Sequence, residues 1–449
     1  MNRIIQNSLG GRASRLREGE TFKSPPRAMV NFKVVTVVVC VLACSSIIWQ
    51  AWHAAPILRN YHCGYDGDSW CRMAVGKRGY DPYQRRFLLP LLVGFTRPTL
   101  ANAWIRFLVL DVLSALGLLA CIGVFTKRLA RRFGASAQAS RLGAVMAVSL
   151  VSLPFYPWHY SFMVPVNTDI AATALGTAWL LTLTSKDGPV LWASVPLAFL
   201  TQACRDMCGP PMLAGLLVLF VVVKSRRRLA VANGAAVLVA VIVSLTEPAA
   251  QSGFPSWRSV VEGQLRDNFG SLHGFVIYLW LVTLGVGFVS LLALPTLRLV
   301  RRDPTVAVLW SYVVIQAVVA TTTGGTTDRY LFPVFAVLVP LGVGWVASRP
   351  TVPSQFALIV AAAASIGLWR PWFVLSGNVP GILRFFDQFV EPWSVNRPHL
   401  VSDLKLVAVG ALGGAAVGGL LWLSTNGASR IAPALARQRN AADSGRENP

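Results

Sequence analysis

Charge is what this chain has least of. Only 13% of its 449 residues are Asp, Glu, Lys or Arg, about half the ~25% usual in a soluble domain. Acidic residues are scarcer than basic ones, 19 against 41. The five histidines, His53, His62, His159, His273 and His399, show no ligand spacing, so no metal site is assigned to them. There is no Gly-x4-Gly-Lys-Ser/Thr, no His-Glu-x-x-His and no dinucleotide fingerprint, which argues against those kinds of nucleotide or zinc machinery. Asp66 and Asp68 are spaced like the start of a calcium loop. The sixth position from Asp66 is Cys71 rather than Gly, however, and the twelfth is Lys77 rather than Glu, which excludes an EF-hand.

What fills the chain instead is apolar sequence: 54% of residues are hydrophobic. Runs close to the ~20 residues needed to cross a bilayer recur along most of the length. The expected fold class is an all-α membrane protein of about 12 transmembrane helices. Residues 1–33 form a basic cytoplasmic tail, 34–424 a polytopic transmembrane domain, and 425–449 a second basic cytoplasmic tail. The run from Val34 to about Ala54 follows too long a polar segment for a cleaved signal. It is read as a first, retained helix. Later spans are expected at about 103–125, 142–162, 167–185, up to 206, 211–223, up to 245, 275–297, 305–321, 330–347, 356–369 and 404–423.

The charge balance follows this topology. Segments assigned to the cytoplasm hold 25 of the 41 Lys and Arg but only 6 of the 19 Asp and Glu. That is the positive-inside bias, with attraction to anionic lipid. It places the protein in the cell membrane as a multi-pass chain with both termini cytoplasmic, and explains the formal charge of +22 without a nucleic-acid partner.

Two outer loops carry amphipathic patterns expected to lie in the membrane interface. One is Trp257, Val261, Leu265 and Phe269; the other is Ile382, Phe385, Phe386, Phe389 and Val390. Gly410, Gly414 and Gly418 recur at four-residue spacing, which favours close helix packing. Cys40, Cys44 and Cys121 lie in apolar segments as small core residues. Cys204 and Cys208 lack a Cys-x-x-Cys spacing. Cys63 and Cys71 flank the Asp-Gly-Asp of the first outer loop, where a disulfide would brace it.

That loop, residues 55–102, is the expected catalytic loop. Asp66 and Asp68 sit two residues apart, and Arg85 and Arg86 follow. A carboxylate can take a proton from a hydroxyl, and an arginine pair can hold a phosphate. Charges at membrane edges are costly and tend to mark function. Arg106, Asp111, Asp169, Arg205, Asp206, Asp328 and Arg329 join those four at or near the outer ends of the expected helices. Asp111 lies deepest, about 12 Å into its helix. Their gathering predicts one polar cavity opening outward. Local alternatives exist for each: Asp169 as a helix cap, Arg205 and Asp206 as a pair at a turn, Asp328 and Arg329 likewise, and Arg106 compensating Asp111.

Asp66-Gly-x-x-Trp70-x-x-x-Ala74, then Gly79-Tyr80, then Arg86-x-Leu88-x-Pro90 resembles the first extracytoplasmic loop of the GT-C superfamily. These are polytopic glycosyltransferases that use polyprenyl-phosphate sugars. Trp70 stands where that family usually has Tyr, and Asp68 is additional. Asp328-Arg329-Tyr330-x-x-Pro333 resembles the late Arg-Tyr-x-x-Pro element of many members, and Asp169 resembles the Asp that opens their fourth helix. The resemblance implies a polyprenyl-phosphate sugar donor and an extracytoplasmic glycan, lipid or protein acceptor. It implies Asp66 as general base with Asp68 beside it. Arg85, Arg86, Arg205 and Arg329 would hold the donor phosphate, while Asp169, Asp111, Asp328 and Trp70 would position the acceptor. No cofactor is required, although Asp68 and Asp169 are also suited to a divalent cation. The competing reading is a secondary transporter or a flippase for lipid-linked substrates.

Overall fold

The computed structural model describes residues 32–59, 63, 67–80, 85–152, 158, 162, 169–246, 249–250, 257–322, 330–349, 351–376, 412 and 415–420. The chain divides into two compact units, Met1–Val38 and Val39–Pro449. Of the first, the described part is the opening of helix α1 (Phe32–Arg59), where Val34, Val37 and Val38 are exposed.

The second unit is helical. A short α2 (Gly67–Ala74) and α3 (Leu88–Gly94) precede the long α4 (Ala103–Arg132) and α5 (Ala137–Ser152). Then come α6 (Asp169–Leu183), α7 (Gly188–Trp192), α8 (Ser194–Cys204), α9 (Gly209–Val222) and α10 (Arg227–Thr246). Last come α11 (Trp257–Phe269), α12 (Leu272–Val286), a 3-10 helix (Phe288–Leu299), α13 (Pro304–Thr322), α14 (Phe332–Ser348) and α15 (Val352–Ser376). Among the described residues the β structure is one two-residue parallel pairing, β1 (Gly79–Tyr80) with β2 (Ala249–Ala250). It ties the segment after α10 to the first loop.

Among the described residues, four helices are long and apolar enough to cross a membrane: Lys33–Trp52, Ala103–Arg132, Lys224–Thr246 and Pro304–Thr322. Six shorter apolar helices of 10–17 residues accompany them. Exposed Val, Leu, Ile and Phe line α1, α4, α9 and α10, as expected where lipid rather than water is the outer solvent. The helix expected near 404–423 is described only at 412 and 415–420, and the stripe at 382–390 lies outside the described residues. In α11, Leu265 and Phe269 are exposed while Asn268 is buried and donates to the Thr321 carbonyl at 3.2 Å.

The expected continuous helix over 275–297 is instead broken. Gly287 takes φ +61°, a left-handed conformation that glycine adopts without a Cβ penalty. A 3-10 segment containing Pro295 follows, and proline cannot donate to the carbonyl four residues back.

At the centre, α14 is buried along nearly its whole length and packs on α4, α5 and the 3-10 helix. Small residues permit this. A methyl group on Gly342 would lie 2.7 Å from the Leu292 Cβ and 2.9 Å from the Ala293 backbone nitrogen. Gly342→Ala is therefore expected to cost about 1–3 kcal/mol through overpacking, read as a lowered unfolding temperature in detergent. Gly234→Ala in α10 meets nothing within 4 Å, and should be neutral or slightly stabilising from helix propensity alone. Buried polar groups in this part of the bundle find partners across helices. Trp179 Nε1 donates to Asn233 Oδ1 at 2.9 Å, and Asn233 Nδ2 donates to Ser194 Oγ at 2.9 Å.

Candidate functional site

The site is organised by the break between α8 and α9. Helix α8 stops at Cys204, Arg205 is extended (φ −153°, ψ 119°), and one 3-10 turn (Asp206–Cys208) leads into α9. Pro210 and Pro211 open α9, at the helix end that tolerates a missing N–H. Because Arg205 is extended, it and Asp206 project to different sides.

They consequently do not pair with each other. Arg205 forms an ion pair with Asp169 at the start of α6, both side chains buried. Asp206 Oδ1 accepts from Arg86 Nε at 3.0 Å and from the Met207 backbone N–H at 3.1 Å. The reading of Arg205 and Asp206 as a local pair is thus corrected, and Asp169 is held across helices rather than serving only as a cap. Four charges from three distant segments meet at one end of the bundle.

Aromatic rings cover both pairs. The Arg86 guanidinium lies 5.4 Å from the centroid of Trp70, which is fully buried in α2. The Arg205 guanidinium lies 4.5 Å from the ring of Tyr330. Such stacking is favourable for a desolvated guanidinium. Tyr330 is in turn held by Gln316, whose Nε2 donates to its carbonyl at 2.9 Å. Gln202 Nε2 donates to the Asp206 carbonyl at 3.2 Å.

Among the described residues, several buried polar atoms have no protein partner. Both Asp111 carboxylate oxygens are buried and unbonded, as are Thr173 Oγ1, Gln202 Oε1 and Gln316 Oε1. The Asp111 side chain is 0% exposed on α4, while Arg106 on the same helix is exposed; the two do not compensate each other. The Cys204 thiol lies within electrostatic range of both Asp111 and Arg86. Buried polar atoms are normally satisfied, so these five atoms are the costly polar groups of α4, α6, α8 and α13.

The first loop reaches the site through α2 and α3, which pack on each other and on α4, with α3 also on α8. Cys63 and Cys71 form a disulfide, with Cα atoms 6.2 Å apart. Closing so short a loop stabilises by roughly 2.5 kcal/mol on the chain-entropy account. Alkylation of denatured, unreduced protein is expected to label five cysteines, and all seven after reduction. Labelling of seven without reductant would remove the brace. Between α2 and α3 lies an apolar cleft of about 490 Å³ lined by Met73, Val75, Pro90, Leu91, Phe95 and Arg97.

Of the residues singled out from sequence, Trp70, Arg86, Asp111, Asp169 and Arg205 are buried at this end, and Arg85 and Asp68 are half-buried. Asp66, Asp328 and Arg329 lie outside the described residues. Gln202, Gln316 and Thr173 were not singled out, and Tyr330 was named only as part of the late Arg-Tyr-x-x-Pro element, not as the ring over Arg205. The two glutamines could have been, as isolated polar residues in apolar helices. Among the described residues no group of three or more His, Cys, Asp or Glu gathers to hold a metal. Compared with protein-family models, with curated proteins and with solved structures, the chain matches none.

Proposed function

We propose that the chain is a GT-C-type glycosyltransferase that moves a sugar from a polyprenyl-phosphate donor to an extracytoplasmic acceptor, in a membrane domain of about twelve spans with both ends cytoplasmic. The observation that carries the reading is the paired ion-pair cluster. Arg86–Asp206 and Arg205–Asp169 join the first loop, the start of α6 and the α8–α9 break, with Tyr330 of the late Arg-Tyr-x-x-Pro element stacked on Arg205.

In the proposed reaction Asp66 takes the proton of an acceptor hydroxyl. The hydroxyl oxygen forms the new bond to the anomeric carbon, and the bond from that carbon to the phosphate oxygen breaks, leaving its electrons on the lipid phosphate. Arg85 and Arg329 would carry the charge that builds there. Arg86 and Arg205 already face carboxylates, so they would contribute position rather than net charge. Asp169 then acts through Arg205, and Asp111 is the buried carboxylate of α4. The apolar cleft between α2 and α3 suits a prenyl chain beside the loop.

The test is mass spectrometry of lipid extracts from a strain lacking the protein. A polyprenyl-phosphate sugar should accumulate and one glycan should be shortened, both reversed by the wild-type chain. Unchanged lipid and glycan profiles would reject the proposal.

A further inference from the structure

The opposite end of the bundle holds a second polar feature that the sugar-transfer reading does not use. Two adjoining cavities, about 250 and 430 Å³, share Arg132, Thr184, Lys186 and Thr305. They lie where the C-terminal ends of α4, α6 and α9 meet the start of α13. Arg226 lines the smaller, and Arg128, Arg131 and Asp187 line the larger.

The donors here are only partly used. Arg226 gives Nη1 and Nη2 to the Leu183 and Ser185 carbonyls at 2.9 and 2.8 Å, and Arg128 gives Nη1 to the Leu181 carbonyl at 2.9 Å. These bonds cap the end of α6, a common use of arginine. Arg132 Nε pairs with Asp303 Oδ2 at 2.5 Å, while Asp303 Oδ1 is engaged by the Thr305 N–H at 2.9 Å. Arg131 makes one long bond, 3.4 Å, to Ser140 Oγ, and Lys186 is exposed. Arg132 and Arg226 line the same smaller cavity. Five cations thus converge on a cleft whose one carboxylate, among the described lining residues, is Asp187, with Asp303 engaged beside it. Helix capping accounts for Arg128 and Arg226, and the positive-inside bias for an excess of cations on this face; neither requires them to line one cleft.

The level of the cleft suggests what relieves it. Helix α4 has 30 residues, roughly 45 Å of rise, the thickness of a bilayer with its headgroups. The cleft lies at its Arg132 end, at headgroup depth in the leaflet facing away from the first loop. Basic pockets between membrane helices on the cytoplasmic side take anionic headgroups.

We propose that this cleft binds a phosphate group, that of an anionic phospholipid headgroup or free phosphate, through Arg131, Arg132, Lys186 and the spare donors of Arg128 and Arg226. The site stands whether or not the chain transfers sugar.

The test uses the full chain with Lys186→Gln and Arg131→Gln combined, two changes that leave the α6 caps and the Arg132–Asp303 pair in place. Lys77→Gln with Arg78→Gln, two exposed cations after α2, removes the same charge elsewhere. Retention of phosphatidylglycerol over phosphatidylcholine is read by native mass spectrometry from mixed nanodiscs. Stabilisation by inorganic phosphate is read as unfolding temperature in detergent. Each lost cation is worth about 1 kcal/mol near a headgroup, so the double variant should weaken binding roughly 20- to 30-fold, and the control should not. Loss of phosphatidylglycerol retention alone identifies the headgroup as ligand; loss of phosphate stabilisation identifies the free ion as sufficient. If the double variant folds poorly without ligand, Lys186→Glu alone provides the same comparison. Wild-type protein that binds neither probe, or equal weakening by the cleft and control variants, overturns the proposal.

Discussion

Arg205→Ala is expected to destabilise the protein by about 3–5 kcal/mol, measured as denaturant unfolding in detergent. The cause is the partner left behind. Asp169 is 3% exposed and faces Arg205 from the first turn of α6, so truncation strands a carboxylate in a low-dielectric interior. Asp169→Asn leaves the buried Arg205 guanidinium without its carboxylate in turn, and should cost a comparable amount, offset only by the Tyr330 ring stacked on that guanidinium. The informative variant removes both. Replacing a buried ion pair by apolar groups of similar size is often neutral or stabilising, so Asp169→Leu with Arg205→Met should recover most of the lost stability. If the pair is part of a reaction site, the recovered protein remains inactive. A stable and fully active double variant would make Asp169 and Arg205 scaffolding, and would remove the ion-pair cluster as support for an enzyme.

The same pair shows where sequence reasoning reached its limit. Hydropathy located most helices, because lipid-facing and packed helices need apolar residues on nearly every side. Helix ends at Cys204, Val222 and Thr322 lie within a few residues of expectation. Polarity also singled out Arg86, Asp169, Arg205 and Asp206, which the structure brings into ion pairs. It could not say who pairs with whom. Arg205 and Asp206 are neighbours in sequence and read most simply as a local pair. One extended residue sends them to partners on different segments, 36 and 120 positions away. The break at Gly287 was likewise hidden, since glycine is common in membrane helices and its positive φ is a tertiary choice. Gln202 and Gln316 escaped notice because a single amide within an apolar run barely alters its hydropathy. Their buried oxygens nevertheless lie beside the ion pairs, where an isolated polar group is most costly.

Asp66→Asn carries the largest expected effect on activity. Asp66 directly precedes Gly67, where α2 begins, and α2 is fastened by the Cys63–Cys71 disulfide and by Trp70 packed beneath Arg86. A general base typically contributes 10²–10⁴-fold, and asparagine keeps the shape while losing the ability to take a proton. Under the proposed reaction, turnover with a polyprenyl-phosphate sugar should therefore fall by about 10²–10⁴, with KM for the donor little changed, because the arginines proposed to hold its phosphate are untouched. Unfolding temperature should hold, which separates lost chemistry from lost structure. Asp68→Asn is the comparison. Asp68 is half-buried in the first turn of α2, where a negative charge also favours the helix by about 0.3–1 kcal/mol. Its loss should show mainly in acceptor KM and a small drop in stability. The two carboxylates, two residues apart, would then divide into one that moves the proton and one that sets the acceptor. If Asp66→Asn turned over at the wild-type rate while Asp68→Asn did not, the base would be Asp68 and the register of the first loop against the family pattern would be wrong. If neither mattered, the loop would not be catalytic.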